Sequence, residues 1–317
     1  MKPLVSIVCI AYNHEPYIRE CLESFVTQKV NFPIEILVND DCSKDNTALI
    51  IREYEQKYPD LFKCVYQNEN QYSKGVQPWF DILFPMVQGK YIALCEGDDY
   101  WVDPMKLQKQ IEILEKDETL VGCYTDYYDV DLDGKRCYNG IHRATIGREL
   151  NRISLREFFT YNVAYPTASV VFRNNHAEEV IQKVRHMKNP YLGDWVLWIA
   201  LHCFGDFYYL DEITSAYRFN PTSVTHTQWV KERVGRIKME FDLQPRIADV
   251  LPEEYADIAV DLRNTKWAWL PLAKAYFKNK QYVRMMGALI VYFVKNPRNI
   301  GPVLSKIWHK VLKQLKK

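Results

Sequence analysis

The sequence predicts an α/β protein with a mostly parallel central sheet, flanking helices, and an α-helical extension at the C-terminal end. Three observations support this class. Short apolar runs recur through the first third of the chain, as buried parallel strands do. Amphipathic stretches separate them, and the order strand, helix, strand, helix indicates a doubly wound sheet. After about residue 230 only helical patterns remain.

The individual elements follow from the same patterns. The apolar runs predict strands at 4–10, 34–38, 61–66 and 91–95. A second group of strand-like segments covers 121–130, 165–173, 206–210 and 213–218, with a hairpin turn at 131–135. Asn13 is predicted to cap the first helix, which has Pro16 in its first turn. We place the main domain at 1–228 and a helical region at 229–317.

Composition narrows the class of protein. Of the 317 residues 48% are hydrophobic and 26% charged, which is typical of a globular chain, and the net charge of +1 argues against a coat for nucleic acid. The 8 cysteines form no Cys-x-x-Cys pair, which favours a reduced, cytoplasmic setting. We expect no signal peptide and no membrane span, because no apolar run reaches about 18 residues.

Two familiar phosphate-binding motifs are missing from the sequence. No Gly-x-Gly-x-x-Gly follows the first strand, so a dinucleotide-binding domain is disfavoured. No Gly-x-x-x-x-Gly-Lys-Ser/Thr occurs either, which argues against a P-loop kinase or ATPase.

An acidic motif, Glu96-Gly97-Asp98-Asp99, directly follows the fourth strand. In open α/β sheets ligands bind beyond the carboxyl ends of the strands, where this motif is expected to lie. Two adjacent carboxylates repel each other, and a Mg²⁺ or Mn²⁺ ion that also holds substrate phosphates relieves the repulsion. The alternative is an acidic turn in which Asp99 caps the next helix.

Three motifs in this order resemble the family 2 glycosyltransferases of the GT-A fold. They are the apolar strand with its Tyr12-Asn13 turn, the Asp-Asp-x-Ser-x-Asp-x-Thr loop at 40–47, and the acidic motif at 96–99. The resemblance covers about two thirds of the chain. Cys42 stands where the family usually has glycine.

The resemblance implies roles for residues on the donor side. Ala11, Tyr12 and Asn13 would lie along the nucleotide, with the Tyr12 ring against the base. Asp40 would accept a hydrogen bond from the base. Asp98 would face the ribose or the diphosphate.

It also implies a metal ligand, a base and three further contacts. Asp99 would hold Mg²⁺ or Mn²⁺, and Asp194 would be the catalytic base. Lys74 would approach the nucleotide, Arg218 would contact the donor diphosphate, and His226 would complete the metal site or contact the pyrophosphate.

Each of these residues also has a plain structural interpretation. Tyr12 fits an ordinary turn, Lys74 a solvated loop, and Arg218 a structural ion pair. His226 fits an exposed surface position, and Asp194 fits a helix cap.

The implied activity is inverting, metal-dependent transfer of a sugar from a nucleotide-sugar to a glycan or lipid-linked saccharide in bacterial polysaccharide biosynthesis. Two alternatives stay open: a nucleotidyltransferase, and a membrane-surface scaffold that binds nucleotide without catalysis.

The C-terminal segment 303–317 is basic and amphipathic, and no Asp or Glu follows Asp261. The segment fits a peripheral contact with an anionic membrane as well as a helix packed on the domain.

Overall fold

The computed structural model describes residues 1–139, 150–161, 163, 165–187, 193–219, 233–264, 269–270, 273 and 282–295. The chain divides into two compact units, Met1–Asn220 and Pro221–Lys317.

In the described part of the first unit, one sheet contains ten strands. In chain order they are β1 (Val5–Ala11), β2 (Ile34–Asp40), β3 (Phe62–Tyr66), β4 (Tyr91–Glu96), β5 (Tyr100–Trp101), β6 (Leu120–Val130), β7 (Arg136–Asn139), β8 (Arg152–Ile153), β9 (Val171–Arg173) and β10 (Asp206–Arg218).

The helices of this unit flank the sheet. They are α1 (Ile18–Val26), α2 (Thr47–Lys57), α3 (Lys106–Lys116), α4 (Leu155–Tyr161), α5 (Ala177–Met187) and α6 (Gly193–His202). Short 3₁₀ turns lie at Tyr72–Lys74, Phe84–Met86 and Thr167–Ser169, and a π-helical turn lies at Pro78–Leu83.

The strand order is β3-β2-β1-β4-β9-β6-β10-β5, with β7 beside β6 and β8 beside β10. The long ladders of β1 with β2 and β4, of β2 with β3, and of β6 with β10 are all parallel. The antiparallel β9 joins the two parallel groups. This architecture confirms the predicted α/β class with a mostly parallel sheet.

The core explains why the first strands read as continuous apolar runs. Successive residues of β1, such as Val8 and Cys9, are both fully buried, so both faces of the strand are covered. The face that carries Ile7 and Ile36 packs against α1 through Leu22 and Phe25. The sheet is therefore rigid below the edge where β1, β2 and β4 end.

Three local predictions were wrong. Helix α1 begins only at Ile18, and Asn13 instead lies in a left-handed turn with φ of 56°. The predicted strand at 165–173 is short, because a 3₁₀ turn occupies Thr167–Ser169. The two predicted closing strands are one, β10, whose register shifts between Leu210 and Ile213.

The described part of the second unit is helical. It contains α7 (Arg233–Val250), α8 (Ala256–Arg263) and α9 (Tyr282–Lys295), with a 3₁₀ turn at Glu253–Tyr255. A small core joins Ala288 and Leu289 of α9 to Ala273, with Phe241 and Trp269 packed against it. In these described ranges no helix is both long and apolar enough to cross a bilayer. The predicted basic helix at 303–317 lies outside the described residues.

Candidate active site

The carboxyl ends of β1, β2 and β4 bring the predicted site residues to one edge of the sheet. Ala11 pairs with Asp40, and Ile10 pairs with Glu96. Neighbouring strands are about 4.8 Å apart, so the loops that follow these strands are adjacent.

The loops after β1 and β2 are joined by hydrogen bonds. The Asn13 amide donates to Ser43 Oγ at 2.9 Å, and the Lys44 amide donates to Asn13 Oδ1 at 2.8 Å. Asp40 in turn accepts hydrogen bonds from Ser43 Oγ at 2.5 Å and from the Ser43 amide at 3.2 Å. Asn13 and Cys42 have φ of 56° and 62°, so Cys42 adopts the left-handed conformation that favours glycine.

Tyr12 and Asp41 belong to this joined pair of loops. The Tyr12 ring is 42% exposed and stands free to meet a ligand. The Asp41 amide donates to the Ala11 carbonyl at 2.9 Å. The Asp41 carboxylate accepts hydrogen bonds from the amides of Gln71 and Tyr72, at 2.7 and 3.1 Å. A third loop is thereby fixed beside the first two.

Lys74 lies at the end of that third loop. Its Nζ forms an ion pair with Glu69, and both side chains are largely exposed. The predicted approach of Lys74 to a nucleotide stays a prediction.

The acidic loop 96–99 lies against the loop after β1. The Gly97 amide donates to the Ile10 carbonyl at 2.9 Å. A Cβ at position 97 would come within 2.8 Å of His14 Nδ1, 2.9 Å of Ile18 Cδ1 and 3.1 Å of Ala11 Cβ. A side chain at position 97 would therefore require His14 and Ile18 to shift.

Asp99 is buried with half of its carboxylate unsatisfied. Oδ1 accepts a hydrogen bond from the Arg218 amide at 2.8 Å, whereas Oδ2 has no partner among the described residues. Burial raises the pKa of Asp99 well above its usual value, and the nearby carboxylates of Asp98 and Glu96 raise it further. This environment disfavours a bare negative charge.

Asp98 faces the loop after β1. Its Oδ2 is 3.8 Å from Nε2 of His14, while His14 Nδ1 is buried and unpartnered within the described ranges. His14 therefore connects the first loop to the acidic loop.

Arg218 lies beneath the acidic loop. Its Nε donates to the Asp98 carbonyl at 2.9 Å, one terminal nitrogen donates to the Asp131 carbonyl at 3.0 Å, and the other pairs with Glu20 at 2.8 Å. The guanidinium is 4.5 Å from the centre of the Tyr17 ring. These contacts favour the structural interpretation of Arg218, and its predicted contact with a diphosphate stays a prediction.

Asp194 lies in the first turn of α6, where its Oδ1 accepts the Trp195 amide at 2.8 Å. Burial raises the pKa of Glu96 to about 8, and the charges of Asp98 and Asp194 add to the effect. The effect of Asp194 on Glu96 places the first turn of α6 near the acidic loop.

Tyr217 lies among the same carboxylates. Burial raises the pKa of its phenol, and the charges of Asp99, Glu96, Asp98 and Asp194 raise it further. The ring packs edge-on against Tyr127, with 6.3 Å between the ring centres.

Sequence reasoning did not assign His14, Glu96 or Tyr217 to the site. The pairing of β1 with β4 is the signal that could have identified His14 and Glu96. Parallel neighbours β1 and β4 place Ile10 beside Glu96, which also brings the residues just beyond them together. Tyr217 directly precedes Arg218 on β10. Nothing in the sequence indicates that β10 pairs with β5, so the sequence did not place Tyr217 at the site.

The site residues fit a divalent cation held jointly with a substrate. No group of three or more His, Cys, Asp or Glu side chains in the described ranges is arranged to hold a metal alone. The unpartnered Oδ2 of Asp99, amid repelling carboxylates, is what a cation would satisfy. Mg²⁺ and Mn²⁺ are commonly bound by one or two carboxylates together with substrate phosphates. His226, predicted as a further ligand, lies outside the described residues.

Comparison with known proteins defines the class. The sequence profile of glycosyl transferase family 2 matches residues 6–177, more than half of the chain. The protein belongs to this family.

Curated relatives agree with this assignment. An uncharacterized protein of Mycobacterium tuberculosis is 33% identical over 231 residues, which is 72% of this chain. The match spans 62% of that relative's length. WfaP, a glucosyltransferase of Escherichia coli, is 34% identical over 125 residues, which is 39% of this chain and 46% of the length of WfaP. The name of WfaP gives UDP-Glc as the donor and α-D-GlcNAc-diphosphoundecaprenol as the acceptor.

Solved structures show the same fold. TarS of S. aureus in complex with UDP-GlcNAc superposes with a TM-score of 0.58 at 15% identity, covering 92% of this chain and 91% of its own. The mannosyltransferase PcManGT of Pyrobaculum calidifontis, in complex with GDP-Man and Mn²⁺, gives 0.57 at 14% identity, covering 99% and 81%. The fold is therefore GT-A, as the sequence resemblance implied.

Proposed function

We propose that this protein transfers a sugar from a nucleotide-sugar to a hydroxyl of a glycan or a lipid-linked saccharide, with inversion at the anomeric carbon, in polysaccharide biosynthesis. The observation that carries the proposal is the acidic loop, in which Asp99 has a buried carboxylate oxygen without a partner among the described residues, and in which Glu96 is close enough to Asp194 of α6 for their charges to repel. Family membership and the names of the relatives support it.

The joined loops after β1 and β2 suit the donor nucleotide. Asp40 is fixed by Ser43, and the exposed Tyr12 ring offers a flat apolar face for a base. Ala11 and Asn13 form the backbone of this surface. We assign the donor base to this surface and the diphosphate to the adjacent acidic loop.

Asp99, with Asp98 beside it, would hold Mg²⁺ or Mn²⁺ together with the donor diphosphate. A cation held there would supply positive charge to stabilise the departing diphosphate. Arg218 keeps Asp99 in place through its backbone amide and keeps Asp98 in place through its side chain.

Asp194 acts as the general base. It accepts the proton of the acceptor hydroxyl while that oxygen attacks the anomeric carbon, and the bond from that carbon to the diphosphate oxygen breaks. The nucleoside diphosphate leaves with the bonding electrons. One displacement inverts the configuration, so no covalent nucleophile is needed.

The acceptor and the cellular setting follow from a relative and from the basic C-terminal segment. WfaP is named for a diphosphoundecaprenol-linked acceptor, which supports a lipid-linked saccharide here. Such an acceptor fits a cytoplasmic enzyme in peripheral contact with the inner membrane face, and the basic segment 303–317 suits that contact.

Substitution of the proposed base tests the reaction. Asp194→Asn retains an oxygen that accepts the Trp195 amide, so α6 keeps its first turn, but the variant has no carboxylate to take the proton. We expect turnover, measured as release of nucleoside diphosphate in the presence of acceptor, to fall by roughly 10²- to 10⁴-fold. Nucleotide-induced thermal stabilisation should be retained.

The matched control is Asp133→Asn, an exposed aspartate in the turn between β6 and β7, which should behave as wild type. Normal turnover by Asp194→Asn would refute the assignment of the base. If the wild-type protein binds nucleotide but transfers nothing to any acceptor, the non-catalytic scaffold is favoured instead.

A further inference from the structure

Helix α9 has apolar side chains on both of its faces, but the core that the described residues form covers only one of them. Ala288, Leu289 and Tyr292 are buried on the inner face. The outer face presents four large side chains, which are exposed by 88%, 52%, 58% and 75% in the order Val283, Met286, Ile290 and Val294.

The spacing of these residues makes a continuous stripe. Positions 283, 286, 290 and 294 follow one another at intervals of three or four residues, so they lie on one side of a helix. The helix has 14 residues, which corresponds to a length of about 21 Å. Isolated exposed apolar residues are ordinary, but an aligned row marks a contact surface.

The charge of this part of the chain indicates the partner. From residue 262 to the end there are lysines and arginines but no Asp or Glu. The charged residues of α9 itself, Arg284 and Lys295, are both cations, at opposite ends of the helix. Aliphatic side chains beside cations, without acids, complement the interface of an anionic bilayer.

We propose that the stripe Val283, Met286, Ile290 and Val294 docks on an anionic lipid bilayer, with α9 lying in the plane of the headgroups. A second copy of the chain is a poorer partner, because two such helices facing each other would bring cations together. This proposal deepens the membrane contact proposed above and locates it on a different segment, and its test requires no sugar transfer.

Vesicle sedimentation of the full-length chain tests the proposal. The probes are vesicles of phosphatidylglycerol with phosphatidylcholine, and vesicles of phosphatidylcholine alone, at low and high salt. We expect the wild-type protein to bind the anionic vesicles. Part of this binding should persist at high salt, because the apolar stripe contributes it. The double variant Val283→Ser, Ile290→Ser should partition onto the anionic vesicles about tenfold or more weakly than the wild type. It should also lose the binding that persists at high salt.

Val260→Ser is the matched control. Val260 is a valine with 53% exposure on α8, between Asp257 and Asp261, and its substitution should leave binding unchanged. Both variants alter exposed positions, so their thermal unfolding should coincide with that of the wild type.

Three results would overturn the proposal. The first is an absence of binding to anionic vesicles by the wild-type protein. The second is equal binding by the double variant, which would assign the contact to basic residues elsewhere. The third is a change in oligomeric mass of the double variant without loss of vesicle binding, which would identify a second copy as the occupant. Release of nucleoside diphosphate with a soluble acceptor, measured in parallel, reports separately on the proposed transfer reaction.

Discussion

Arg218 illustrates how one buried side chain organises the acidic loop. Its guanidinium donates hydrogen bonds to the Asp98 carbonyl, the Asp131 carbonyl and the Glu20 carboxylate. Its backbone amide donates to the Asp99 carboxylate. Removal of the guanidinium would leave the two carbonyl oxygens without this donor, at a cost of roughly 1–3 kcal/mol for each group that stays unsatisfied, whereas the half-exposed Glu20 carboxylate would be hydrated. The positive charge beneath the loop also partly offsets the repulsion between the carboxylates.

At the same scale, Gly97 fixes how closely the acidic loop approaches the first loop. Gly97→Ala would force His14 and Ile18 to move, because the new Cβ would lie within 3.0 Å of both. We expect the free energy of unfolding, measured in urea, to fall by roughly 1–3 kcal/mol.

Gly193→Ala is the control in the same unit. Among the described residues outside its own helix, a Cβ at position 193 would meet only Gln77 Oε1, at 3.6 Å, which is an ordinary contact. This variant should change the stability by less than about 1 kcal/mol. Equal stability of both variants would show that the first loop adapts freely to the acidic loop.

At the scale of residues, the sequence predicts positions that follow recognisable strands, but not contacts made to the backbone of distant segments. Asp40, Asp98 and Asp99 could be placed at one edge of the sheet, because each follows a recognisable apolar strand. The contacts of Arg218 go mainly to backbone carbonyls of distant segments, and no side-chain pattern encodes these. The contact of His14 with Asp98 was not predictable, since it depends on the register of β1 and β4.

At the scale of elements, buried parallel strands were predicted best. Strands β1, β2, β3 and β4 begin and end within two residues of their predicted bounds, because each is a short apolar run ended by polar residues. The later strands were harder. Strand β10 continues through Asp211 and Glu212, which interrupt the apolar pattern at the register shift, so it was read as two strands.

Helix α3 contains a buried lysine that the apolar pattern does not reveal. Lys106 is fully buried, donates to Gln110 Oε1 at 2.7 Å, and lies 4.6 Å from the centre of the Trp101 ring. Burial lowers the pKa of Lys106 to about 7, although Cys95, Cys123 and Asp103 act in the opposite direction. The helix thus carries an ionisable group on its inner face.

Lys106→Met should therefore stabilise the protein in a pH-dependent way. Below about pH 7 the amine is protonated in both states, and the native state bears the cost of the buried charge. The variant should then be more stable by roughly 1–3 kcal/mol, after the lost hydrogen bond to Gln110 is allowed for. Between pH 7 and 10.5 the unfolded state binds more protons than the native state, so wild-type stability rises and the advantage shrinks.

Urea unfolding at about pH 6 and about pH 9 measures this difference. Lys116→Met, at the exposed end of the same helix, is the control and should show little pH dependence. An advantage of Lys106→Met that is the same at both values of pH would mean that the amine does not titrate in this range.

At the scale of the whole molecule, the chain joins an α/β unit that carries the candidate site to a helical unit in which α9 has an exposed apolar stripe. The class of the fold and the order of the motifs were predictable, because they depend on local patterns repeated along the chain. The unit boundary depends on which segments pack together. It lies at 220/221 by contacts, whereas the sequence placed it at 228/229 from the change to helical patterns.

The measurement that tests the central claim most directly is thermal unfolding of wild type and Asp99→Asn with UDP, GDP, CDP or dTDP, each with and without Mn²⁺. Asparagine can still accept the Arg218 amide, so the variant loses the charge while keeping the structural contact. A ligand at one hundred times its Kd stabilises the native state by about 2.7 kcal/mol, which raises the melting temperature by several degrees. We predict that one diphosphate produces this shift with Mn²⁺ in the wild type, and that removing the metal or the Asp99 charge abolishes it. If no diphosphate shifted the wild-type protein, or if the shift were equal without Mn²⁺ and in Asp99→Asn, the metal-dependent donor site would be contradicted.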